Sequence, residues 1–208
     1  MKTIKYRTMD KSTWGPGPWQ EEPDKVQWQD EASGLPCLIV RNSFGNWCGY
    51  VGVAPGHPWH GKDYNGLHLT PDDYGPDVHG GLTFADNCAN MSHETWEKWR
   101  ARVLAGADEA KQYPLGDAAR RLRDRVKELA DYEAFVAHSK ATRVCHIPDD
   151  GEPDNVWWLG FDCGHCDDFS PGMDSDYRHE DSQYRDMAYV QAECAGLARQ
   201  IAAVSDGK

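Results

Sequence analysis

Two apolar runs in the first half of the chain constrain its fold most strongly. Residues 35–41 and 47–53 are rich in apolar, β-branched and aromatic side chains, and a short connection that contains Gly45 separates them. Two strand-like runs joined by a short glycine-containing connection are typical of a β-hairpin. We therefore expect an antiparallel sheet in which these two strands are neighbours.

Further strands and helices are predicted on both sides of the hairpin. Apolar or alternating runs indicate strands at residues 25–29, 78–85, 142–147 and 156–162. A helix is expected to begin near Ser92, and apolar residues at helical spacing predict two more at residues 117–138 and 184–204. Because strands and helices do not alternate along the chain, this order predicts an α+β fold with a mainly antiparallel sheet, a helical insertion and a C-terminal helix.

The length of the chain, 208 residues, suits a single domain that spans residues 1–208. Glycine and proline interrupt residues 1–25, which are predicted to form an irregular N-terminal arm. The helical insertion is expected at residues 88–140.

The charge of the chain limits the partners that it can bind. The formal net charge is −12, whereas binding to nucleic acid or to an anionic membrane requires a basic face for the phosphates. No apolar run is long enough for a transmembrane helix, and residues 1–19 lack the apolar segment of a secretory signal. We expect a cytoplasmic protein without nucleic-acid or membrane partners, and a homo-oligomer remains open.

The cysteine count points to the same compartment. Seven cysteines, an odd number, occur in a chain that lacks an export signal. Stable disulfides form mainly in oxidising compartments, and free cysteines commonly pack as small apolar side chains. The sequence therefore predicts reduced and mostly buried thiols.

The sequence Cys-Gly-His-Cys at residues 163–166 suggests two further hypotheses. A dithiol redox motif is disfavoured, because Asp167 and Asp168 would raise the thiol pKa instead of lowering it. A zinc site would combine this cysteine pair with Cys145 or His146, of which only one can join because neighbours on a strand point to opposite faces. We expect no cofactor, with zinc as the alternative.

Histidine and glycine lie together at the ends of two predicted strands. Two glycines follow His79, and a glycine precedes His165. Glycine in a strand often marks the close approach of a ligand or of another backbone. If these strands are neighbours, their polar side chains converge to form a site; these are His79, Thr83, Asp162 and His165.

The loop at residues 54–78 adds further candidates, since long loops inside a domain are often functional. Its predicted ligand-binding residues are His57, Trp59, His60 and Lys62. The catalytic candidates of the chain are His79, His165 and Asp162. No metal is expected at these residues, and the alternative is a hydrolytic metal site of histidines with Asp63 or Asp162. No standard catalytic fingerprint is present.

The nine tryptophans suggest another way of binding a ligand, by stacking on indole rings. Several lie in predicted loops or beside glycine, namely Trp14, Trp19, Trp47 and Trp59. Packing in the core explains most of them, but two or three indoles in one pocket would stack on a nucleobase. Lys62 and Arg41 would then bind its phosphates.

Several stretches together resemble a known family. They are Trp-Gly-Pro-Gly-Pro-Trp at residues 14–19, Gly-Leu-Pro-Cys at 34–37, His-Pro at 57–58, Gly-Lys at 61–62, Tyr-Arg-Asp at 184–186, and residues 47–53, 78–84 and 157–163. On these residues, the chain is similar to uncharacterised proteins encoded by bacteriophages and prophages, over most of its length apart from residues 88–140. The resemblance implies an accessory phage protein that works in the host bacterial cytoplasm, in a class that often counters host defence.

These observations favour a phage protein that binds a small nucleotide-like ligand and sequesters a host defence signal. Aromatic loops and glycine–histidine strand ends suit a receptor, and no catalytic signature competes with that interpretation. One alternative is a hydrolase, such as a phosphodiesterase, that uses His79, His165, Asp162 and His57 with or without a metal. Another is an inhibitor that binds a host defence protein through an acidic surface.

Overall fold

A computed structural model describes residues 1–69, 75–88, 101–105, 117–153, 155–173 and 181–206 of the chain. The described residues contain six strands: β1 at Ile4–Tyr6, β2 at Lys25–Gln29, β3 at Pro36–Arg41, β4 at Trp47–Val53, β5 at Phe84–Asn87 and β6 at Trp157–Asp162. They also contain helices α1, at Asp117–Thr142, and α2, at Met187–Asp206. Short 3-10 turns lie at Pro18–Gln20 and Tyr64–Gly66. The predicted α+β fold is confirmed.

The strands form one antiparallel sheet in the order β1-β2-β3-β4-β6-β5. Strands β3 and β4 make the predicted hairpin, and the side chain of Asn42 fixes its turn. The Oδ1 atom of Asn42 accepts hydrogen bonds from the backbone N–H groups of Phe44 and Asn46. An asparagine that bonds to nearby backbone in this way stabilises a turn without help from the rest of the fold.

Helix α2 packs on the sheet through one apolar face, as its 3.6-residue period predicts. Its buried residues are Val190, Cys194, Leu197, Ala198 and Ile201. The helix begins at Met187, three residues later than predicted, because the side chain of Asp186 accepts a hydrogen bond from the backbone N–H of Tyr189. This is the geometry of an N-terminal cap.

The described chain divides into two compact units, which are residues 1–88 with 141–208, and residues 89–140. The sheet and α2 belong to the first unit, and most of α1 belongs to the second. The single domain with a helical insertion stays a prediction. Among the described residues, no helix has both the length and the apolar character needed to cross a membrane.

The strand predicted at residues 142–147 is absent, because α1 continues to Thr142 and an irregular segment follows. This segment binds to β2 through side chains. Gln27 bonds to both the backbone N–H and the carbonyl of Ile147, and Lys25 donates to the carbonyl of Cys145. Strand β2 already pairs with β1 and β3, so its backbone has no edge left for another strand.

Two other boundaries differ from the sequence prediction. The segment expected to be irregular at residues 1–25 contains the short strand β1, which is too short to show an alternating pattern. The strand predicted at residues 78–85 begins only at Phe84. Gly80 and Gly81 precede it with φ angles of +66° and +82°, which are left-handed and do not occur in a regular strand. The helix predicted to begin near Ser92 lies outside the described residues.

The cysteines only partly match the prediction of reduced, buried thiols. Cys88 and Cys145 form a disulfide, so the prediction is wrong for these two residues. Four others are buried as expected, and Cys166 is exposed. With Cys145 in a disulfide, the zinc site that would use its thiol is excluded in this form of the protein.

The tryptophans proposed for ligand stacking lie in the interior instead. The exposed fractions of Trp14, Trp19, Trp47 and Trp59 are 8%, 7%, 0% and 3%. Burial of indole rings stabilises the fold, but rings this deeply buried offer no face to a ligand. A stacking pocket made of these four residues is therefore not formed.

Candidate functional site

A buried carboxylate contacts two imidazole rings at one edge of the sheet. The Oδ2 atom of Asp168 lies 2.9 Å from Nε2 of His79 and 3.4 Å from Nδ1 of His165. The side chain of Asp168 is only 1% exposed, whereas those of His79 and His165 are 13% and 39% exposed. We refer to His79, His165 and Asp168 as the histidine–aspartate cluster. It is buried at its carboxylate and reached by solvent at His165.

Strand order brings the two histidines together. His79 lies in the turn before β5, and His165 lies in the turn after β6, its antiparallel neighbour. The two rings are 5.2 Å apart between centroids. A Cβ atom at Gly80 would overlap the ring of His165, so glycine at this position leaves the space that the ring fills.

Hydrogen bonds within the second turn hold Asp168 against His165. The backbone N–H of Asp168 donates to the carbonyl of His165, and the backbone N–H of His165 donates to Asp168 Oδ2. Gln183 bonds to the backbone of both Asp167 and Phe169. This places the segment that leads into α2 beside the cluster.

Arg185 enters the cluster from that segment. Its Nε atom is 2.9 Å from the other carboxylate oxygen, Oδ1 of Asp168. Burial favours the neutral form of Asp168, but hydrogen bonds from Arg185, His79 and the backbone of His165 together outweigh it and lower the pKa of the carboxyl group. Asp168 is therefore an ionised carboxylate at neutral pH.

Helix α2 supplies two further contacts to His79. The hydroxyl of Tyr189 lies 3.0 Å from Nδ1 of His79, and Glu193 Oε2 accepts a hydrogen bond of 2.8 Å from the backbone N–H of His79. Burial and the negative charge of Glu193 raise the pKa of Tyr189, so its hydroxyl stays protonated at neutral pH. Both ring nitrogens of His79 thus have a partner, Asp168 on one side and Tyr189 on the other.

A cavity of about 580 Å³ adjoins the cluster at His79. Its polar lining comes mainly from α2, in the form of Tyr189, Glu193, Arg199 and Gln200. The Gln200 side chain bonds to both the backbone N–H and the carbonyl of Asp77, at 2.8 Å each, and so fixes the opposite wall. The cavity therefore has both cationic and anionic groups and two rings, those of His79 and Tyr189.

Two of the predicted site residues support the cluster without joining it. The hydroxyl of Thr83 donates to Oδ2 of Asp162 at 3.0 Å, and Oδ1 of Asp162 accepts a hydrogen bond of 3.0 Å from the backbone N–H of Gly164. These bonds tie the turn that carries His165 to the strand entry at Thr83. The catalytic role of Asp162 stays a prediction.

The candidates from the long loop lie elsewhere. His57 bonds to the carbonyl of Ile201, twelve residues along α2 from Tyr189 and hence about 18 Å away along the helix axis. His60 bonds to the carbonyl of Asn155, and the Lys62 carbonyl accepts from the indole of Trp157. Together with the buried Trp59, these residues fasten the loop to the rest of the unit. They are not brought together with His79 and His165.

The two histidines were predicted from the sequence, whereas the residues that organise them were not. Asp168 follows His165 by three residues, and Arg185, Tyr189 and Glu193 are spaced by four, which would place them on one side of the helix predicted at residues 184–204. Charged and polar residues at this spacing are also typical of an ordinary solvated face. Only the packing of α2 beside His79 distinguishes a functional site from an ordinary solvated face.

Scans of this chain against protein-family models, curated proteins and solved structures gave no match. The function is therefore inferred from the geometry of the cluster and of the cavity beside it.

Proposed function

We propose that the protein binds a small nucleotide-like ligand in the cavity beside His79. The observation that carries this proposal is the cavity itself, whose volume of about 580 Å³ lies within the range of about 300–1,000 Å³ typical of small-molecule sites. It adjoins the histidine–aspartate cluster, and His79 belongs to both.

The lining of the cavity suits the parts of a nucleotide. The exposed guanidinium of Arg199 can bind phosphate oxygens through two parallel hydrogen bonds. The carboxylates of Asp77 and Glu193 can accept hydrogen bonds from ribose hydroxyls or from base amino groups. The half-buried ring of Tyr189 offers the flat surface on which a base stacks, a role the buried tryptophans do not fill.

A ligand of this kind agrees with the accessory phage role that the family resemblance implies. In that role, the protein sequesters a nucleotide-like defence signal in the cytoplasm of the bacterial host. Sequestration requires affinity and not turnover, so the ligand leaves the protein chemically unchanged.

Hydrolysis is the second candidate, and one specific observation favours it. Asp168, His79 and Tyr189 form a hydrogen-bonded chain of carboxylate, imidazole and hydroxyl. In hydrolases with this order of groups, the carboxylate orients the imidazole, which accepts a proton from the hydroxyl. Tyr189 would then be the group that faces the ligand.

The test is a binding titration with a panel of cyclic and linear nucleotides, followed by denaturation and analysis of the released ligand. We expect micromolar or tighter binding of at least one nucleotide, and Arg199→Ala should weaken it by about 10-fold or more, the scale of one charged hydrogen bond. Lys62→Ala is the matched control, because this exposed cation lies in the long loop and should bind as the wild type does.

The released ligand decides between the two candidates. Intact ligand after long incubation supports sequestration. Product that accumulates beyond one equivalent, and that Tyr189→Phe abolishes, supports hydrolysis. Binding that responds to Lys62→Ala but not to Arg199→Ala would contradict the proposed cavity, as would the absence of binding across the whole panel.

A further inference from the structure

We propose that His79, His165 and Asp168 bind one divalent transition-metal ion, for which Zn²⁺ is the best match. Each of the three residues offers one ligand atom, and these atoms all lie within 4.8 Å of one another. Two imidazoles and one carboxylate make a ligand set that is typical of catalytic zinc sites, in which a fourth position stays open. No metal was predicted here from the sequence, and the alternative metal site had Asp162 or Asp63 as its carboxylate.

The distances suit a single ion. Ligand atoms bound at about 2.1 Å to a tetrahedral ion lie about 3.4 Å apart. Asp168 Oδ2 is 2.9 Å from His79 Nε2 and 3.4 Å from His165 Nδ1, so two of the three separations are already close to this value. The third, between His79 and His165, is at most 4.8 Å and would shorten when both rings bind the ion. The ion would replace the proton that His79 shares with Asp168.

Hydrogen bonds hold the atoms of His79 and Asp168 that would not bind the ion. The Nδ1 atom of His79 bonds to the hydroxyl of Tyr189, and Oδ1 of Asp168 bonds to Nε of Arg185. Metal-binding histidines almost always have their second nitrogen held in this way, which fixes the orientation of the ring. Two of the three proposed ligands therefore already have the outer hydrogen bonds of a metal site.

Charge gives a separate reason for a cation. Arg185 already neutralises Asp168, and the cavity wall carries the carboxylates of Asp77 and Glu193 against the guanidinium of Arg199. Without a metal, these groups sum to a negative charge that opposes a phosphate. A divalent ion at His79 reverses the sign and would also polarise a phosphoryl oxygen or a bound water. This inference goes beyond the proposed function, and metal binding does not depend on it.

The test measures binding of Zn²⁺ alone by equilibrium dialysis, with Co²⁺ as a probe that absorbs visible light when bound. All proteins carry Cys166→Ser, because the exposed thiol beside His165 would bind zinc by itself. We expect one ion per chain and an intense tetrahedral Co²⁺ spectrum. His165→Ala should lower the zinc affinity by more than about 100-fold, because it removes a metal ligand. Loss of a residue that only hydrogen-bonds to a ligand lowers metal affinity by at most about 100-fold. His60→Ala, which removes another solvent-accessible histidine, should not change it.

A second variant keeps the test informative. Tyr189→Phe removes only the hydroxyl that holds His79 and should lower zinc affinity by about 10–100-fold while the Co²⁺ spectrum stays tetrahedral. Equal zinc affinity in the Cys166→Ser protein and in its His165→Ala and His60→Ala variants would overturn the metal site. Nucleotide binding by a metal-free protein would in that case leave the proposed function intact, so the two failures are distinguishable.

Discussion

At the scale of single residues, Gly80 connects the local backbone with the site. Its φ of +66° is a conformation that residues with a Cβ atom rarely adopt, and a Cβ atom there would overlap the ring of His165. Its neighbour Gly81 has a similar φ of +82°, but a Cβ atom there would meet nothing within 4 Å. A comparison of substitutions at the two glycines therefore distinguishes the effect of backbone strain from the effect of displacing the His165 ring.

This pair gives a prediction. Gly80→Ala and Gly81→Ala should each lower the free energy of unfolding by about 1–2 kcal/mol because of the left-handed backbone. Only Gly80→Ala should also move the His165 ring and weaken zinc binding. Urea denaturation measures the first effect, and dialysis with Zn²⁺ measures the second. Equal zinc affinities in the two variants would show that Gly80 does not position His165.

At the scale of secondary-structure elements, the sequence predicts regular elements well and turns poorly. The bounds of β2 and β4 match the prediction because each strand has a local pattern: β2 alternates polar and apolar residues, and every residue of β4 is buried. The segment after α1 looks like a strand by composition, yet no free sheet edge is beside it. The bounds of β2 and β4 follow from the local sequence pattern. The absence of a strand at residues 142–147 follows from the strand order of the whole sheet.

The same contrast between local sequence pattern and overall packing applies to the site. His79 and His165 were predicted because each lies beside glycine at a strand end, a local feature. Their partners Asp168, Arg185 and Tyr189 depend on how the turn after β6 and the start of α2 pack together. No local pattern distinguishes these residues from an ordinary polar surface.

The N-terminal arm is fastened to α2 and the sheet by Glu22. The carboxylate accepts hydrogen bonds from the Tyr184 hydroxyl, the Met187 backbone N–H and the Trp47 indole, and it forms an ion pair with Arg41. Burial favours the neutral form, but these partners outweigh it and lower the pKa of Glu22. Because the pKa is lower in the folded state, this stabilisation is present above the unfolded pKa, about 4.3, and is lost as the pH falls through the folded pKa.

Glu22→Gln should therefore change stability in a pH-dependent way. At neutral pH, the free energy of unfolding of the variant should be about 1.5–3 kcal/mol lower than that of the wild type, which is the value of a hydrogen bond to a charged group. The difference from the wild type should shrink below about pH 4 as the native carboxylate is protonated. Urea denaturation from pH 7 to pH 3 measures this, with the exposed neighbour variant Glu21→Gln as the control. A loss for Glu22→Gln that is constant across this range would contradict the assignment.

At the scale of the whole molecule, the chain has a net charge of −12 and yet is proposed to bind a phosphate-bearing ligand. A negative net charge and phosphate binding are compatible only if positive charge is concentrated at the binding site. Arg199 at the cavity and a divalent ion at the histidine–aspartate cluster would provide it. The location of the ligand is therefore the central claim, because the long loop offers a competing cation, Lys62, and its His57 bonds to α2 at the carbonyl of Ile201.

Nuclear magnetic resonance of the histidine side chains tests this claim most directly. The protein is labelled with ¹⁵N at its nine histidines and titrated with the member of the nucleotide panel that binds most tightly. Resonances of His79 and His165 should shift with ligand concentration, whereas those of His57 and His60 should stay unchanged. Shifts confined to His57 and His60 would place the ligand at the long loop and contradict the account.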